Sequence, residues 1–240
     1  MDDDILREKL ATSTRILAMQ GVLGLFGHVS IFDRDTQRVF ISPGFGSDKA
    51  TTGARDVLVC DLAGKIVDGK GRLPIEWPIH TTLHGARADA VSIAHLHSPY
   101  ATLYAIAKRE FRPVTLQGTL FADGVPLYTQ PQLIKEIPQG NRLVELIGSK
   151  RGALLRGHGV VVIGKSIEET VYASLILEDD SRKAMQAAAL GELNTFDPDE
   201  CREFGASDSL ERRAERAWGY LQKVEARWDR QPGTGQGFLA

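Results

Sequence analysis

The segment Val91-Ser92-Ile93-Ala94-His95-Leu96-His97-Ser98-Pro99 constrains the chain most. Its first half is apolar and partly β-branched, which predicts a buried strand. Ser is a preferred helix N-cap and Pro is favoured at the first helical position, so a helix should begin where the strand stops. On a strand, residues i and i+2 share a face. His95 and His97 therefore project side by side from the carboxyl end of a rigid element, a good start for a metal site. Taken alone, a His-x-His pair is more often a structural accident or a hydrogen-bonded pair than a set of metal ligands.

The other histidines sharpen the choice. The chain has six: His28, His80, His84, His95, His97 and His158. His158 stands in Arg156-Gly157-His158-Gly159, between the apolar runs Ala153–Leu155 and Val160–Ile163. A histidine flanked by glycines at a sharp turn sits where backbone approaches something closely, so His158 is the best third nitrogen ligand. Three imidazoles leave an open position for water or substrate, the catalytic rather than structural pattern of metal binding. Zinc, manganese, cobalt or iron would accept such a set.

Periodicity places the rest. Residues 4–20 read as an amphipathic helix, and 28–32 with 38–42 as a hairpin. A second hairpin spans 56–68, turning at Ala63-Gly64. Glu76–Ala86 reads as a helix with Pro78 in its first turn, where Pro is tolerated. Glu76, His80 and His84 then share one helical face. A helix over 99–109 follows, then short strands at 114–117 and 125–128 and a helix starting near Gln139, because Pro138 interrupts anything earlier. The hairpin 153–163 and helices at about 166–190 and 207–229 complete the chain. Strands mixed with helices, several of them in hairpins, predict an α/β fold with a largely antiparallel sheet covered by helices.

With 240 residues and no Pro/Gly/Ser-rich linker, a single domain over 1–230 with a flexible tail at 231–240 is expected. The net charge of −2 gives no electrostatic case for nucleic acid or an anionic membrane. Cys60 and Cys201 share no ligand spacing and read as reduced thiols. The acidic start Met1-Asp2-Asp3-Asp4 lacks a secretory signal, and no run of 18 apolar residues exists. A soluble cytoplasmic protein is expected.

Glu76 is the natural acid/base beside the histidines; its alternative is a carboxylate favoured by the helix dipole. His28 is either catalytic or a strand-end histidine bonded to backbone. His80, one turn from Glu76, would fix a carboxylate or ligand from behind. His84 reads as a surface or packing residue, and Arg156 as a partner in a salt bridge or for an anionic substrate.

Five segments in order carry a resemblance: Gly27-His28-Val29-Ser30, Ile41-Ser42-Pro43, Glu76-Trp77 with His80, His95-Leu96-His97-Ser98 and Gly157-His158-Gly159. Together, over about residues 5–190, they resemble the class II aldolase/adducin family. The resemblance implies a three-layer αβα fold around a central, mostly antiparallel sheet. It implies one divalent metal ion per subunit on His95, His97 and His158, with Glu76 as acid/base. It also implies a homotetramer with sites near subunit interfaces. Ser42, Gly44 and Ser47 would line the substrate pocket by position.

The departures are equally informative. Sugar-phosphate aldolases of this family usually have Gly-Asn where this chain has Gly27-His28, and Ser-Ser where it has Pro74-Ile75. Pro74 offers no amide donor and Ile75 no hydroxyl. A family tyrosine expected near Leu116-Gln117 is also missing. Gly-His is more similar to the branch of decarboxylases acting on hydroxylated aromatic or heteroaromatic dicarboxylates. The expectation is therefore a metal-dependent decarboxylase of an unphosphorylated substrate, with Glu76 or His28 protonating the ring carbon. The rivals are an aldolase on a hydroxy-carbonyl compound, an Fe(II) oxygenase, and an adducin-like module without catalysis.

Overall fold

The computed structural model describes residues 2–44, 46–207 and 209–228. The expected tail at 231–240 lies outside them. Elements run α1 (Asp3–Met19), β1 (His28–Asp33), β2 (Arg38–Ile41), β3 (Leu58–Cys60), β4 (Ile66–Asp68), α2 (Trp77–Ala86), β5 (Ser92–Leu96), α3 (Ala101–Ala107) and β6 (Leu127–Tyr128). They continue with α4 (Ile137–Ile147), β7 (Gly152–Leu155), β8 (Gly159–Gly164), α5 (Ile167–Ala188), α6 (Pro198–Ser207) and α7 (Leu210–Trp228).

Eight strands form one sheet in the order β4-β3-β2-β1-β5-β8-β7-β6. Every neighbouring pair is antiparallel except β6 with β7. Helices α1, α3 and α5 pack on one face, with α7 against α1 and α5; α2 and α4 pack together on the other. This is the expected three-layer αβα arrangement. Both sheet faces are covered, so β1, β5, β7 and β8 are buried along their whole length. That explains why β7 and β8 run continuously apolar instead of alternating. Strand parity still sorts the side chains: Ala94, Leu96, Val160 and Val162 join the core under α1 and α5. Ile93, Val161 and Ile163 join the core under α2 and α4.

Local chemistry accounts for the helix starts. Asp2 Oδ1 accepts from the Asp4 amide at the head of α1, and Ser166 Oγ accepts from Glu169 N at the head of α5. Four expectations need correction. Ser98 does not cap α3; that helix starts at Ala101, and the carboxylate of Glu178 on α5 accepts from the Tyr100 and Ala101 amides at 2.9–3.1 Å. No strand forms at 114–117, because the Val114 and Thr115 amides donate to Asp180 instead of to a neighbouring strand. Helix α4 starts at Ile137, since Pro138 occupies its first turn, where no amide donor is needed. Finally, α6 was not anticipated; Asp197 Oδ1 accepts from the Asp199 and Glu200 amides at its head. No helix among the described residues is long and apolar enough to cross a membrane.

Candidate metal centre

The register of β1, β5 and β8 builds the centre. His95 shares the parity of Ile93 and so faces α2, whose N-cap is Glu76. His28 opens β1 directly opposite His95. Leu96 pairs with Val160, which sets the β7–β8 turn alongside the end of β5. In that turn Gly157 takes a φ of +60°, and His158 swings toward His95 and His97. Gly24, with a φ of +66°, lets His97 press against it: a Cβ there would lie 2.7 Å from the His97 Cβ.

The three rings are nearly equidistant, with centroids 5.0 Å (95–97), 4.8 Å (95–158) and 5.0 Å (97–158) apart. One nitrogen from each lies within 4.8 Å of the others, as do ligand atoms of His28, Glu76 and His95. His95 Nδ1 donates to the Val160 carbonyl at 3.2 Å, which aims Nε2 inward. The Nε2 atoms of His95 and His97 are buried without a hydrogen-bond partner. Buried orphan nitrogens are rare unless something absent from the polypeptide satisfies them. The donor set therefore fits a borderline divalent cation.

Glu76 bridges the cluster. Its Oε2 lies 3.3 Å from His95 Nε2 and 3.2 Å from His158 Nε2, and its Oε1 accepts from the Ile134 amide at 2.9 Å. Burial alone would raise the carboxyl pKa, but the His158 and His95 imidazoles outweigh it and hold the group well below the usual range. Glu76 is thus an ionised carboxylate at rest. His97 is pushed down to about 4, by burial first and then by His95 and His158, so it is neutral and ready to ligate at neutral pH.

A cavity of about 870 Å³ opens onto this cluster. Its polar lining includes His28, Glu76, His97, His158, Ser47 and Asp48; Leu25, Phe26, Pro74, Ile75 and Leu133 form an apolar wall, and no Lys or Arg is among the described residues that line it. Gly44 and Ser47 stand at the cavity as expected. Ser42 does not: it is fully buried, and its Oγ accepts from the Val29 amide at 3.0 Å.

The expectations for His80 and Arg156 change, and His84 takes the packing role of its two alternatives. His80 does not support Glu76; its Nε2 lies 2.6 Å from His28 Nδ1, and its Nδ1 lies 2.6 Å from Ser30 Oγ. His84 is fully buried, stacks on Phe32 and bonds Ser30 and the Ala90 carbonyl. Arg156 is exposed and donates to the Thr129 carbonyl. Sequence reasoning passed over Ser30 and Lys49. Ser30 was within reach, because period-2 parity puts it on the His28 face. Buried Lys49, pushed down to about 8 by desolvation, donates to the Pro43 and Gly44 carbonyls and anchors the loop beside the cavity.

Comparison with known proteins agrees with the geometry. A curated 3,4-dihydroxyphthalate decarboxylase from Arthrobacter keyseri is 27% identical over 241 residues, covering 92% of this chain and 95% of the relative. One of the same name from Rhodococcus jostii (strain RHA1) is 25% identical over 197 residues, 77% of this chain and 81% of the relative. The crystal structure of an aldolase II superfamily protein from Pseudomonas syringae superposes with a TM-score of 0.82 at 22% identity, covering 94% of this chain and 93% of that one. An L-fuculose 1-phosphate aldolase superposes with a TM-score of 0.77 at 21% identity, covering 86% and 97%. The family described as Class II Aldolase and Adducin N-terminal domain matches residues 8–184, and the chain belongs to that family.

Proposed function

We propose that this protein is a divalent-metal-dependent decarboxylase of an unphosphorylated, hydroxylated aromatic or heteroaromatic dicarboxylate. The observation that carries the proposal is the cavity: a carboxylate- and imidazole-lined floor under an apolar wall that includes Pro74 and Ile75. Such a wall suits a planar ring. A sugar phosphate would find no hydroxyl at either position and no amide donor on Pro74. Two missing charge-assisted hydrogen bonds, about 1.5–3 kcal/mol each, weaken phosphate binding roughly a hundredfold or more. The decarboxylase names of the relatives above support the same choice.

In this reading His95, His97 and His158 hold the cation. When bound, it supplies a Lewis acid that accepts an oxygen pair and draws negative charge as the bond to CO2 breaks. Glu76 or His28 gives the ring carbon its proton. Gly44 and Ser47 border the substrate. The apolar wall disfavours the charged carboxylate relative to neutral CO2. Leu25 (74%), Phe26 (61%), Ile75 (48%) and Leu133 (44%) are exposed around the cavity and offer a neighbouring subunit of a homotetramer the surface to close it.

The second reading is an aldolase on a hydroxy-carbonyl compound, favoured by the likeness to L-fuculose 1-phosphate aldolase. The test is CO2 release from hydroxylated phthalate- and pyridine-type acids by protein reloaded with zinc, manganese, cobalt or iron after chelation. Release that disappears on chelation is expected. Ketose cleavage without release of CO2 from any such acid would overturn the proposal, and loss of turnover under anaerobic conditions would point to an oxygenase.

A further inference from the structure

Behind His28 lies a buried chain of hydrogen bonds that runs away from the cavity. His28 Nδ1 meets His80 Nε2 at 2.6 Å, His80 Nδ1 meets Ser30 Oγ at 2.6 Å, Ser30 Oγ meets His84 Nε2 at 2.7 Å, and His84 Nδ1 meets the Ala90 carbonyl at 2.7 Å. His28 is nearly buried, and Ser30, His80 and His84 are fully so. The chain ends on a carbonyl, which can only accept, so its direction is decided there. His84 must carry its proton on Nδ1. Desolvation holds His84 down at about 3, so the ring is neutral and its Nε2 is bare. Ser30 therefore gives its only proton to His84 and must accept from His80 Nδ1. His80, also neutral through burial, then has a bare Nε2 that accepts from His28 Nδ1. Each link leaves the next ring one choice.

We infer that Ser30, His80 and His84 are positioning residues that lock His28 with its proton on Nδ1, so that a bare Nε2 faces the metal cavity as a proton acceptor. The chain dead-ends at Ala90 and is not a route for protons to solvent. The inference rests on the proposed decarboxylation and orders its proton transfers. The substrate's ring hydroxyl gives its proton to His28 Nε2, leaving the oxygen anionic and the ring cationic. The bond to the neighbouring carboxylate breaks, and its electron pair stays on the ring carbon as CO2 departs. That pair takes the proton from Nε2, which returns His28 to its resting tautomer. The anionic oxygen regains a proton from water. On this account the acid that protonates carbon is loaded by the substrate itself, and Glu76 is left to the cluster of His95 and His158.

The test is long-range 1H–15N correlation of the ring nitrogens in zinc-loaded protein, where bare and protonated nitrogens resonate far apart, with His28 assigned by His28→Gln. The inference requires a bare Nε2 on His28 in the unaltered protein. Ser30→Ala should populate the Nε2–H form and lower kcat about fivefold or more, as the competent fraction falls. Its metal content and KM should stay unchanged, and Ser30→Thr should restore kcat. A protonated Nε2 in the unaltered protein overturns the inference, as does Ser30→Ala with unchanged kcat per bound metal. Should Ser30→Ala fail to fold, the tautomer of the unaltered protein decides alone. That reading needs no substrate, so it stands or falls separately from the assignment of the reaction.

Discussion

Burying His28, His80 and His84 as neutral rings links folding to pH. In the unfolded chain each titrates near 6.5. In the folded state desolvation is the largest cause of depression for all three: His84 falls to about 3, and His28 and His80 lie well below their usual value. A depressed histidine contributes stability that is present above the unfolded pKa and is lost as pH falls toward the folded one. At pH 5.5 the His84 ring alone binds about 0.9 proton more in the unfolded state, a slope of about 1.2 kcal/mol per pH unit. Between pH 7.5 and 5 it removes about 2 kcal/mol, and His28 and His80 act in the same direction. His97, at about 4 in metal-free protein, acts in the same direction. Glu178 and Asp180 oppose it: burial raises their carboxyl pKa values, so they gain stability as pH falls. A difference measurement removes them. Urea unfolding of chelator-treated protein from pH 7.5 to 5 should show a slope for His84→Gln lower by about 1.2 kcal/mol per pH unit, one ring's share. Equal slopes would mean that His84 is not buried neutral, and the reasoning would fail.

Three substitutions bear on the centre itself. His97→Ala removes one of three nitrogen ligands and should weaken metal binding by more than about a hundredfold, read by metal analysis after dialysis, with CO2 release lost in parallel. Glu76→Gln keeps the shape but removes the charge between His95 and His158; metal should remain while kcat falls by about 10–100-fold, and a variant with undiminished kcat would mean that this charge does not tune the centre. Gly24→Ala must hold a φ of +66° and place a Cβ 2.7 Å from that of His97. The backbone strain alone is about 1–3 kcal/mol, so the thermal midpoint should drop, and metal affinity should drop with it because His97 is displaced.

Much of the centre was legible before any coordinates. The alternation of a strand puts His95 and His97 on one edge of space, and glycines around His158 mark a turn that only a bare backbone can make. Helical spacing likewise puts His80 and His84 on one face of α2, with Glu76 at its N-cap. These are local consequences of backbone geometry. The errors share a different origin. Val114 and Thr115 have strand-like neighbours, yet Asp180, 65 or more residues away, captures their amides. Ser98 looks like a cap, yet Glu178 arrives from α5 to do that work. Ser42 looked available to a ligand, yet it accepts from Val29 across the hairpin.

The amino-acid order by itself put His95 and His97 on one strand face, set His158 in a glycine turn and predicted a largely antiparallel sheet covered by helices, because each follows from periods of 2 or 3.6 residues and from turn chemistry; the αβα layering and the apolar pair Pro74-Ile75 gained their meaning from the family resemblance. Tertiary structure decided what no period encodes. It set His28 against His95 by strand pairing and drew His80 and His84 from α2 onto Ser30. It also left the last carbonyl of that chain, Ala90, to dictate which nitrogen of a ring in the cavity is free to take a proton. Pairing of distant segments is a property of the packed whole, where burial removes water as the alternative partner and makes each hydrogen bond depend on the next.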